Sequence, residues 1–155
     1  MDAADFWKFG HVAAMFGAVS IFVGQGLLER AVAGTGDVPA LRRVLAAEDR
    51  FAPIGGGLFM LGIALGIIAA LTGGINLLQP WLIVAYVLSA VVLVVAFTYH
   101  VPTANRLKEL AAASPNEASP ELRAAIDEPS GRVIVALDTV VWLALIFVMV
   151  VKPFS

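Results

Sequence analysis

The stretch Val133-Ile-Val-Ala-Leu-Asp138-Thr-Val-Val-Trp142-Leu-Ala-Leu-Ile-Phe-Val-Met149-Val-Val151 decides the fold. It is too long and too evenly apolar to be a strand of a soluble sheet, and it carries a single ionisable side chain. A helix needs about 20 mainly apolar residues to cross the hydrocarbon core of a bilayer. Working outward from 133–151, three more stretches qualify: about 6–28, 53–71 and 80–99.

Composition says the same. The 155 residues are 60% hydrophobic and 14% charged, against roughly 45–50% and about 25% in an ordinary soluble domain. A water-soluble fold of this size lacks the interior volume to hide that surface, which excludes a soluble globular protein. Ten basic residues against twelve acidic ones, a formal charge of −2, exclude a strongly basic nucleic-acid binder. The absence of cysteine excludes disulfides, thiolate metal sites and cysteine nucleophiles. The expectation is an all-α, four-transmembrane-helix bundle, one integral membrane domain over 1–155, with short helices in its cytoplasmic loops.

Punctuation supports the spans. Pro53 and Pro80 fall where a first helical turn tolerates a missing N–H. Gly73-Gly74 closes the second span and Lys152-Pro153 the fourth. The acidic start, Met1-Asp2-Ala3-Ala4-Asp5, does not read as a cleaved signal peptide. Eight of the ten basic residues lie in two loops: Arg30, Arg42, Arg43 and Arg50 in one, Arg106, Lys108, Arg123 and Arg132 in the other. The positive-inside rule makes loops 29–52 and 100–132 cytoplasmic, with both termini outside a plasma (inner) membrane. Trp7 and Trp81 then lie at the outer interface. Residues 39–50, with Leu41, Val44 and Leu45 on one face, predict a separate short helix on the inner membrane surface. A cytoplasmic extension of the third span over 104–113 should break at Ser114-Pro115-Asn116, and 120–127 predicts one more short helix.

Small residues mark helix contacts: Ala13, Gly17, Ser20 and Gly24 in span one, and Gly62-x-x-x-Gly66 after Gly55-Gly56-Gly57 in span two. Packing within the chain is the first reading of these stripes, and a homodimer seam the second.

Ionisable groups inside a membrane are costly, so each is a functional hypothesis. Depth sorts them. Asp138, His100, Arg50, Glu29, Arg30, Asn105 and Arg132 belong to an inner polar layer. There a carboxylate such as Asp138 must be neutral, paired or hydrated, with His100 and Arg50 its nearest partners by depth. The layer reads either as a charge-paired rim that fixes helix order or as a proton- or substrate-handling site. His11 lies in the outer layer, with Met15 one turn on and Met149 of span four at similar depth. It is either a packing histidine bonded to a backbone carbonyl or an axial ligand of a haem b, with a methionine sulfur available as sixth ligand. The two histidines differ in depth by about 20 Å at 1.5 Å per residue, so they do not share one iron. No other metal site is legible.

Phe6-x-x-Phe9-x-His11, the stripe through Gly17 and Gly24, a basic inner loop and an ending Met149-x-x-Lys152-Pro153 resemble a family of bacterial four-helix integral membrane proteins to which no function is assigned. More distantly, a histidine near the start of span one is similar to copper-resistance-protein-D-like and protoporphyrinogen-oxidase-J-like proteins. The latter resemblance implies haem held through His11. His100-x-Pro102-x-x-Asn105, followed by Leu107, resembles a stretch of anthrone-oxygenase-like membrane proteins.

No Walker or Rossmann glycine pattern, serine elbow or zinc-binding His-Glu-x-x-His is present. Three functions follow. The first is a non-enzymatic accessory or scaffold subunit of a membrane complex, which homo-oligomerisation would suit. The second is a haem-binding redox protein using His11. The third is a proton-coupled small transporter using Asp138 and His100.

Overall fold

A computed structural model describes residues 2–153. Met1, Phe154 and Ser155, the ends of both tails read as lying outside the membrane, fall outside the described residues. The elements in order are α1 (Ala3–Ala33), α2 (Val38–Thr72), α3 (Pro80–Val95), a π-helical turn (Ala96–His100), α4 (Val101–Ala113), α5 (Pro120–Ile126) and α6 (Pro129–Val151). Among the described residues there is no strand, only an isolated bridge between Asp37 and Glu117. Among the described residues, four helical stretches are long and apolar enough to cross a membrane: Ala3–Ala33, Val38–Thr72, Pro80–Ala113 and Pro120–Val151. The chain divides into two compact units, 1–76 with 115–117, and 77–114 with 118–155.

In the first unit α1 and α2 form an antiparallel hairpin. The Asp2 carboxylate accepts from the Asp5 N–H at 2.7 Å and starts α1. At the turn, Gly36 takes φ +74°, and the Asp37 carboxylate accepts from the Ala40 N–H at 2.9 Å to start α2. The two helices then close like a zipper. A Cβ on Gly17 would lie 3.0 Å from Leu58 Cδ1, one on Gly55 3.1 Å from Ile21 Cγ2, and one on Gly62 2.8 Å from Met15 Sδ. Small residues let the backbones approach, so dispersion contacts hold the pair where lipid offers no hydrophobic drive. The glycine stripes at Gly17 and Gly62-x-x-x-Gly66 are thus engaged within one chain.

Two expectations about α2 are corrected. Residues 39–50 do not form a separate surface helix but are the start of one 35-residue helix, with Leu41 and Leu45 buried. Pro53 is not at its first turn but inside it. The run Ala46-Ala47-Glu48-Asp49-Arg50 holds good helix formers and no breaker, so the helix enters Pro53 already formed. Pro53 then removes one backbone donor without stopping it. The helix ends at Gly73-Gly74, where Gly74 at φ +69° lets the Ile75 N–H reach the Ala70 carbonyl at 2.8 Å.

In the second unit α3 packs against α6, and α4 against α5. Pro80 opens α3 at its first turn. The helix of the third apolar stretch runs through the π turn into α4, the extension expected over 104–113, and stops at Ser114. The Ser114 hydroxyl donates to the Leu110 carbonyl at 2.9 Å. Ser119 caps α5 through the Leu122 N–H at 3.2 Å, and α6 starts at Pro129, one turn before the apolar stretch 133–151. Lys152, at φ 49°, closes α6 and sets its ammonium 5.3 Å from the centre of the Trp81 ring.

Many large apolar side chains point outward in both units: Phe16 is 74% exposed and Val150 75%. A surface of this kind is unfavourable in water and suits hydrocarbon.

Candidate functional site

The two histidines sit in opposite circumstances. His11, on α1, is half-buried, and its Nδ1 lies 2.7 Å from the Gly62 carbonyl oxygen of α2. A carbonyl only accepts, so Nδ1 carries the hydrogen and donates, which leaves the lone pair on Nε2. The ring fits because residue 66 has no side chain: a Cβ there would stand 2.8 Å from Nδ1 and 3.0 Å from Cε1. Met15, one turn along, fills the neighbouring notch at Gly62. His11 and Met15 therefore leave the same face of α1 and fill adjacent notches of one interhelical groove. Axial ligands of a haem approach the iron from opposite sides of a macrocycle, and two side chains on successive turns of one face do not. The pair does not fit a haem ligated by both. Met149 belongs to α6 in the other unit and is half-buried there.

The inner layer divides between the units. Glu29, Arg30 and Arg50 belong to the α1–α2 hairpin, where Glu29 lines a groove of ≈ 230 Å³ with Gln25, Leu28, Glu48 and Phe51. His100, Asn105, Arg132 and Asp138 belong to the second unit, and there the structure brings two of them together. His100 Nε2 lies 2.6 Å from Asp138 Oδ2. An ionised carboxylate only accepts, so Nε2 carries the hydrogen and donates it to Asp138. The bond joins the π turn to α6. Asn105 and Arg132 are exposed.

Neighbouring side chains are held locally around the pair. The Tyr99 ring meets the His100 ring edge-on, 5.5 Å between centres at 85°. Tyr99 reaches towards α6, where a Cβ on Gly131 would lie 3.4 Å from its hydroxyl. The nearby threonines are engaged locally: Thr98 donates to the Val94 carbonyl at 2.7 Å and Thr139 to Val135 at 2.8 Å. Arg106 and Glu128 form a looser pair at 3.6 Å, exposed on both sides. The His100 side chain is 46% exposed and that of Asp138 24%. The pair combines a short, charge-capable hydrogen bond with partial exposure of both side chains at the surface of the second unit.

Among the described residues, no group of three or more His, Cys, Asp or Glu side chains is placed to hold a metal ion. Sequence reasoning gives Pro102 no part in the site, although a proline two residues after a histidine in an apolar run is a visible signal that the helix is disturbed there. It also misses Gly66 as the seat of His11. No family model, curated protein or solved structure matches this chain, so the site is read from its own geometry.

Proposed function

We propose that this is a proton-coupled multi-pass membrane protein, a small transporter whose proton site is the His100–Asp138 pair. The observation that carries the reading is the 2.6 Å contact between a carboxylate and an imidazole in a segment apolar enough for a membrane, with His100 half open. An ionisable group at such a depth is costly to keep and is retained where it has work to do. The loop charges support placing the site near the cytoplasmic face. One proton entering or leaving the pair changes its net charge and so its attraction between the π turn and α6, which couples protonation to the packing of the second unit.

The test needs no transported solute. Full-length protein in liposomes adsorbed to a solid-supported membrane is given a rapid pH jump, and the transient charge displacement is recorded. The expected result is a transient that Asp138→Asn and His100→Gln both abolish, with helicity unchanged by circular dichroism. An equal transient in Asp138→Asn would overturn the proposal.

A further inference from the structure

We propose that Pro102 is a positioning residue: it forces the π turn Ala96–His100 and thereby turns His100 onto Asp138. Proline brings no N–H, and in an α-helical register its ring runs into the carbonyl four residues earlier. For Pro102 that carbonyl is Thr98's. The chain responds one turn upstream by widening, and the Val101 N–H donates to the Ala96 carbonyl, five residues back instead of four. Thr98, in the middle of the widened turn, anchors its hydroxyl on the Val94 carbonyl.

A π turn holds one residue more than an α turn, and each residue of an α-helix rotates by about 100°. His100 is the last residue of the widened turn. Relative to the face of α3 that packs on α6, its side chain is therefore displaced by about that angle from where an unbroken helix would put it. Asp138 sits on α6, and the contact closes at 2.6 Å in the widened register. An unbroken helix would present the ring at an azimuth about 100° from the one at which this contact forms. Single π turns inside α-helices are found frequently at functional sites. Here the cause is local and written two residues downstream.

The functional consequence rests on reading the pair as the proton site, whereas the geometry does not, and the experiment separates them. Full-length protein with ¹⁵N-labelled histidine is studied in nanodiscs. The chain has only two histidines, and His100→Gln assigns them. In the wild type the ring-nitrogen shifts of His100 are expected to report a fixed Nε2–H tautomer. In Pro102→Ala they should collapse toward tautomer-averaged values, while those of His11 stay fixed as an internal control. The pH-jump charge displacement should fall at least about tenfold in the same variant. Unchanged His100 shifts in Pro102→Ala would overturn the positioning role. Collapsed shifts with unchanged charge displacement would uphold the positioning and overturn the proton reading. Alanine is a better helix former than proline, so folding is retained. Should Pro102→Ala nonetheless misfold, Pro102→Ser carries the same two readouts.

Discussion

The α1–α2 hairpin and the α3–α6 unit each carry one histidine in an apolar stretch, and they treat it differently. The first closes glycine-backed helices around His11 and gives Nδ1 a backbone carbonyl. A carbonyl cannot ionise, so that bond is a fixture of packing. The second gives Nε2 of His100 a carboxylate, on a widened turn, with nearly half of the side chain accessible. Both bonds are short, at 2.7 and 2.6 Å. Length alone therefore says little about role; the partner's chemistry and the access to it decide.

If the comparison holds, substitutions in the hairpin cost stability and those at the pair cost activity. Gly66→Leu should have the largest effect, destabilising by about 3 kcal/mol in reversible denaturation in mixed micelles, because the added side chain meets a ring pinned by its hydrogen bond. A loss smaller than that of Gly17→Leu, which faces only the flexible end of Leu58, would break the argument. His11→Ala follows at about 2 kcal/mol, combining a lost hydrogen bond with an unfilled notch. Asp138→Asn should change stability by less than about 1 kcal/mol, since the amide oxygen of asparagine can still accept from Nε2 of His100, although it abolishes the charge displacement. A larger loss would make the pair a structural clamp like His11. The smallest effect sharpens the picture from the other side. Gly57 is exposed, and a Cβ added there would meet nothing within 4 Å. Gly57→Ala should therefore stabilise by roughly 0.5–1 kcal/mol through helix propensity, read in the same denaturation experiment.

Much of this architecture is legible in the residues. Long apolar runs between proline and glycine signals yield four helices, since helix existence depends on local hydrophobicity and capping. The extent of α2 is not legible: Pro53 followed by three glycines reads as a beginning, yet α1 packs along that stretch, against Gly55, and the helix runs through. Depth counting groups His100 and Asp138 with five other polar residues, because rise per residue is nearly constant. It cannot select which of them touch. That choice depends on azimuth, and one π turn shifts azimuth by about a quarter of a revolution without changing the order of residues. The seat of His11 is hidden for a related reason, as Gly66 lies on another helix and only the pairing register of α1 with α2 brings it beneath the ring.

The notch at Gly66 also sets how this sequence is free to drift. A side chain at position 66 and an imidazole at position 11 exclude each other at 2.8 Å, so position 66 does not vary while histidine stays at 11. The permitted route is ordered: a smaller residue replaces His11 first, and only then does alanine become acceptable at 66. Across a set of diverged descendants the two columns should covary, with histidine at 11 found only alongside glycine at 66.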